Sequence, residues 1–245
     1  MKAMLQLLII PALVVTPVAI ITFYQGNASA LDNVANLTNT PFSIENVNKV
    51  NNSDDVYSLA TVDATVDEMM PANHVYTYNE AIELRKTIGQ SLESNPKSIP
   101  LNWALVRYYA CAPSFVGGNV STALQYAGYV FTLDRYLGCL AYEYVYSRNN
   151  DPQKAEEWYK RSLIYPLSKN MVWQEITYNN TAQYGIKVFG NFNNWKLQNM
   201  YETLYGSYVR KVMTPKCENC QYKLIVDNKN ISNPKIKSDF QVTNF

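Results

Sequence analysis

Histidine is almost missing from this chain of 245 residues, since His74 is the only one. That excludes histidine-cluster metal sites and the HExxH zinc motif, and any Ser–His–Asp triad would have to be built on His74 itself. Charge is scarce as well. Asp, Glu, Lys and Arg make up 17% of the residues, and the formal net charge is +1. Non-specific binding to nucleic acid rests on many Lys/Arg–phosphate contacts, so a near-neutral chain gives it no support. No P-loop, GxGxxG, GxSxG or EF-hand string occurs, and no motif implies a cofactor or a metal. Beyond residue 30 no apolar stretch approaches the ~20 residues that a membrane span needs. Hydrophobic residues nevertheless reach 47%, enough for one packed domain.

The first thirty residues read MKAMLQLLIIPALVVTPVAIITFYQGNASA. Lys2 supplies the charge of a signal n-region, an uncharged apolar run follows, and Ala28-Ser29-Ala30 is a small-x-small cleavage site. The protein is therefore expected to be periplasmic or secreted. Left uncleaved, the same segment would anchor it to a membrane. Residues 31–75 read as a disordered or loosely packed leader, Asn/Thr/Ser-rich at its start. Within it, Val56, Leu59, Val62 and Val66 fit a helical stripe, while the surrounding Thr and Val also suit a strand. Asn79 to Ser94 reads as a helix with Ala81, Leu84, Ile88 and Leu92 on one face. Asn95-Pro96 ends it.

Residues 101–166 repeat internally with a period of 32. Ala123, Tyr126, Ala127, Val130 and Phe131 form a helical stripe, and a shift of 32 gives Ala155, Trp158, Tyr159, Ser162 and Leu163. Asn119 and Asp151 fall at matching positions and are both good N-caps, with Pro152 at the first helical position. Glu156 with Lys160, and Glu157 with Arg161, make a solvated outer face. Each unit is expected to be helix, turn, helix. Residues 168–213 are expected to continue as a third helical pair, carried by Leu197, Tyr201, Leu204, Tyr205, Tyr208 and Val212. Residues 214–245 form a C-terminal extension, either a short hairpin or an extended tail.

This stretch resembles the tetratricopeptide and Sel1-like repeat families. The resemblance rests on Leu137-Gly138, Asp151, Ala155, Trp158-Tyr159, Leu163 and Pro166, with a weaker copy at Gly117-Gly118, Ala123, Ala127 and Phe131. It implies an all-α fold, a short solenoid of helical hairpins over residues 76–213. It also implies a concave surface suited to protein partners.

Four cysteines are present. In an exported chain Cys217 and Cys220, spaced CxxC, are expected to form a structural disulfide. The repeat register places Cys111 and Cys139 too far apart for a bridge, so they read as small packed residues. Aromatics are the remaining signal, with 20 Tyr, 8 Phe and 4 Trp. Tyr142 and Tyr146 share a helix face, and with Tyr109 they are candidates to line a partner-binding groove, to which Arg107 and Arg148 would add charge. The function these features point to is a non-catalytic, exported scaffold that binds protein partners in the cell envelope or outside the cell. The alternatives are a solute- or glycan-binding helical module and a helical glycan-cleaving enzyme that uses carboxylates.

Overall fold

The computed structural model describes residues 21–22, 47, 57–71, 74–166, 170–216, 220–227 and 229–231. The segment read as an export signal is represented there only by Ile21–Thr22, and Cys217 lies outside the described residues.

The helices begin where polar caps satisfy their first N–H groups. Ser58 caps α1 (Leu59–Met69), in a reciprocal box with Thr61. Thr77 caps α2 (Tyr78–Ser94), with Glu80 reaching back to the cap. Ser98 opens α3 (Ile99–Cys111), which has Pro100 in its first turn. Asn119 caps α4 (Val120–Leu133), as its position in the repeat predicts. Asp134 ends α4 and caps α5 (Arg135–Arg148). Asp151 caps α6 (Pro152–Ser162). Helices α3 to α6 pack successively, each on the next, while α1 and α2 pack against α3. The Glu156–Lys160 pair forms at 2.8 Å on the solvent side of α6.

Helix α1 lies in the segment read as a loose leader, yet it belongs to the core. Val62, Val66 and Met69 are fully buried there, each worth roughly 1.5–3 kcal/mol. Leu59, Val62 and Val66 of the stripe that competed with a strand reading thus lie on a helix face, and Val56 lies outside the described residues.

The all-α expectation fails after residue 170, and with it the short α-solenoid. The chain is mixed α/β. In order come β1 (Ile21–Thr22) and β2 (Val75–Tyr76), then β3 (Met171–Tyr178), β4 (Ile186–Gly190), β5 (Gln198–Asn199), β6 (Tyr201–Glu202), β7 (Tyr208–Pro215), β8 (Tyr222–Val226) and β9 (Lys229–Ile231). β1 and β2 pair antiparallel. One sheet has the order β3-β7-β6 and another the order β5-β4-β8-β9, all neighbours antiparallel. Within the extension after residue 214, β8 and β9 pair as a hairpin, and residues 232–245 lie outside the described residues.

The physical reason is visible in the residues. Met171–Tyr178 and Tyr208–Pro215 are rich in β-branched and aromatic side chains, which suit a pleated surface better than a helix. The stripe read as a helix from Leu197 to Val212 is broken by a turn at Thr203–Ser207. Gly206 there takes a positive φ of 76°, and Leu204 and Tyr205 stand almost fully in solvent. Asn194 and Trp195 also adopt positive φ, which stops the three-residue 3-10 turn at Asn191–Asn193 from growing into a helix.

Two cores result. The larger is helical and takes in Met171, Trp173 and Met213 from the β3-β7-β6 sheet. The smaller lies between the two sheets and holds Ile176, Val188, Phe192, Met200, Val212 and Leu224. The β3-β7-β6 sheet therefore sits between the helices and the second sheet. The stacked hairpins are covered rather than left as an open concave array, and the helical-repeat reading is corrected accordingly.

Cys220 is a free thiol packed in the inter-sheet core, and burial pushes it up to about 11; Cys217, its expected disulfide partner, lies outside the described residues. Cys111 and Cys139 are free as well. Cys111 instead meets the Tyr144 hydroxyl at 2.9 Å.

Candidate functional site

The helices and the strand layers are joined by two buried ionic networks. The first begins on α1. Asp63 and Asp67 are one turn apart, at the edge of the stripe that buries Val62 and Val66. Asp63 accepts from the indole N–H of Trp103 at 3.1 Å and lies 3.8 Å from Arg107. Asp67 pairs with Arg107 at 2.9 Å and with Lys196 at 2.6 Å, and it accepts from the Asn194 amide at 2.8 Å. The left-handed turn at Asn194 and Trp195 is what brings Lys196 to α1. Burial pushes the Asp63 carboxyl up to about 6, against the opposing pull of Arg107 and Lys196. Lys196 is itself lowered, by burial and by the nearby Arg107.

The second network begins on α5. Glu143 falls on the apolar face of that helix, with Tyr136 and Leu140. Arg210 of β7 donates to both its oxygens, at 2.6 and 2.9 Å, and Tyr201 of β6 donates to one at 2.8 Å. Arg210 also donates to the Asn199 carbonyl, and its guanidinium lies 4.6 Å from the centre of the Tyr159 ring. The fork of two N–H groups on one carboxylate fixes the angle between α5 and β7 as well as their distance.

Between the two networks lies a cavity of about 170 Å³. Asp63, Glu143, Arg148, Lys187, Lys196 and Asn199 contribute its polar walls, and Trp103, Leu140 and Leu197 its apolar ones. Both carboxylates that border it are held in the networks. Among the described residues no group of three His, Cys, Asp or Glu side chains converges as a metal-ligand set.

The partner residues expected from sequence scatter over the molecule. Arg107 is fully buried in the first network, so it is a structural cation and cannot line an open groove. Arg148 ends α5 at the cavity. Tyr142 stacks on Trp158 at 4.0 Å inside an aromatic cluster with Phe131 that ties α4, α5 and α6 together. Tyr146 lies under the Lys154 ammonium of α6. Tyr142 and Tyr146 therefore work at the α5–α6 seam rather than in one groove with Tyr109. Of the candidate disulfide pair, Cys220 is the buried thiol described above.

Tyr109 has a different setting. Its ring stacks on Tyr126 at 5.6 Å with only 6° between the planes. Tyr108 meets it edge-on at 5.5 Å, and Tyr126 continues to Tyr129 at 5.9 Å. This ladder crosses α3 and α4 and ends in solvent, where Tyr129 is 59% exposed. Helix α4 carries no Asp, Glu, Lys or Arg in its 14 residues. Its exposed positions are Ser121, Gln125, Tyr129 and Thr132.

Sequence reasoning missed Asp63, Asp67, Glu143, Lys196 and Arg210. One signal was available for Glu143. A carboxylate three residues after Leu140 and seven after Tyr136 sits inside an apolar stripe, and such a position demands a buried partner.

The chain matches no protein-family model, no curated protein and no solved structure.

Proposed function

We propose that this protein is an exported, non-catalytic binding protein that engages a protein partner through the α3–α4 face. The observation that carries the reading is the uncharged surface of α4 with its tyrosine ladder. A solvent-facing helix ordinarily carries its charge outward. Depletion of charge combined with enrichment in tyrosine is the composition of an interface core. Tyr109, Tyr126 and Tyr129 offer large ring area already stacked in place, so less side-chain freedom is lost on binding. Phe115, in the turn between α3 and α4, is also exposed, at 56%. The signal-like segment 1–30 supports export. Support for a non-catalytic role comes from Asp63 and Glu143, the carboxylates at the cavity, both of which are engaged by Arg, Trp or Tyr donors.

The test is site-specific photo-crosslinking in cells, with the crosslinker placed at Gln125 or Tyr129. Lys160, on the charged face of α6, is the control position. A recurrent protein captured from α4 but not from Lys160, its capture from Gln125 lost on Tyr126→Ala with Tyr129→Ala, is the expected result. Equal capture from all three positions would refute the reading.

A further inference from the structure

The cavity between the helices and the sheets has an imbalance of charge at its wall. Its carboxylates, Asp63 and Glu143, are already matched by Arg107 and Arg210 behind the wall. Its lysine Lys196 is matched by Asp67. Arg148 and Lys187 also line it, and neither has an ion-pair partner among the described residues. Arg148 lies beside the Cys111 thiol and the Tyr144 hydroxyl.

The backbone holds these two cations to one floor. β4 pairs with β5 so that Lys187 stands directly opposite Asn199, and paired residues point to the same side of a sheet. The Asn199 amide donates to Ser147 Oγ at 3.2 Å, and Ser147 is the neighbour of Arg148. The Ser147–Asn199 bond therefore spans the gap, with a cation that has no ion-pair partner among the described residues next to each end. Arg148 lies in the last turn of α5 and offsets the negative end of that helix. Trp103 and Leu197 close the apolar side.

We propose that this cavity binds a small anionic solute, bearing carboxylate or phosphate, between Arg148 and Lys187. A guanidinium takes two oxygens of such a group in a planar fork, and a lysine adds a point charge from the other side. The Asn199 and Gln198 amides then lie beside the non-ionic part of the solute. The space suits a compact metabolite-sized molecule and no polymer.

Isothermal titration of the full chain with sodium succinate and, separately, sodium phosphate tests this, at ionic strength fixed with sodium chloride so that simple screening is held constant. Erythritol and putrescine are the neutral and cationic controls. Lys187→Gln and Arg148→Gln are surface changes, and an unchanged Tm shows that each variant is folded. The expected result is binding of at least one of the two anions, weakened about tenfold or more by either substitution, with no heat from the controls. Succinate alone assigns a carboxylate ligand, phosphate alone a phosphorylated one, and both a general anion site. No binding of either anion at about 10 mM, or binding indifferent to both substitutions, overturns the proposal.

Discussion

Replacing Glu143 by Gln keeps the side chain's volume and removes only its charge. In the native protein Arg210 is 1% exposed and Glu143 is 4% exposed. The substitution leaves a guanidinium in the interior with neutral oxygens, the glutamine Oε1 and the Asn199 carbonyl, in place of the carboxylate, and an amide N–H₂ aimed at a group that is itself all donors. An uncompensated buried charge of this kind costs about 3–5 kcal/mol. Tyr201 can still find one acceptor on the glutamine, so its hydroxyl adds little. Against a domain stability of roughly 5–15 kcal/mol, the change removes a large part of the total. The double replacement Glu143→Leu with Arg210→Met takes away both charges and keeps an apolar filling. It should lie within about 2 kcal/mol of the native chain, because well-packed apolar side chains replace a buried pair at little cost. Urea unfolding followed by circular dichroism measures these three proteins together with the single variants Glu143→Leu and Arg210→Met, and the coupling energy of the Leu/Met cycle should exceed about 2 kcal/mol. A cost below about 1 kcal/mol for Glu143→Gln, or a double variant whose loss is the sum of the single losses, would show that the pair does not hold α5 to β7 as argued.

Asp63 gives the fold a pH dependence of definite sign. Its folded pKa is raised to about 6 because burial disfavours the ion, so the folded state holds this proton more tightly than the unfolded chain. Its contribution to stability is present in full below the unfolded aspartate value and is lost as pH rises through about 6. The difference amounts to about 3 kcal/mol at most. Asp63→Asn should abolish that part of the slope between pH 4 and 6, read from urea midpoints. Identical slopes in the two proteins would contradict the assignment. Gly138 meets the α4 backbone so closely that a Cβ there would fall on Phe131. Gly138→Ala is therefore expected to destabilise by about 1–3 kcal/mol, despite the higher helix propensity of alanine. A rise in Tm would show that the two helices are free to separate.

The helical hairpins were legible because their signals are local. Asn119, Asp151 and Pro152 announce helix starts within a few residues, and Asn95-Pro96 announces an end. Residues after 170 misled because Leu197, Tyr201, Leu204, Tyr205, Tyr208 and Val212 recur at nearly helical intervals although no helix is present. Their spacing came from alternation in two short strands and a solvent-exposed turn. The candidate site was mostly illegible. Arg107, set down as a possible groove cation, is a buried ion-pair partner, and nothing within its own helix reveals Asp63 and Asp67 across the core.

The sequence by itself determined the helical segments from Asn79 to Ser162, because capping and i, i+4 packing depend on neighbours along the chain. Tertiary structure alone decided the sheets, the covering of the hairpins and the cavity. β-Pairing and buried ion pairs join residues that no local pattern links. Glu143 meets Arg210 across 67 positions, and Asp67 meets Lys196 across 129. Such contacts gain their strength only where the surrounding fold has already excluded water.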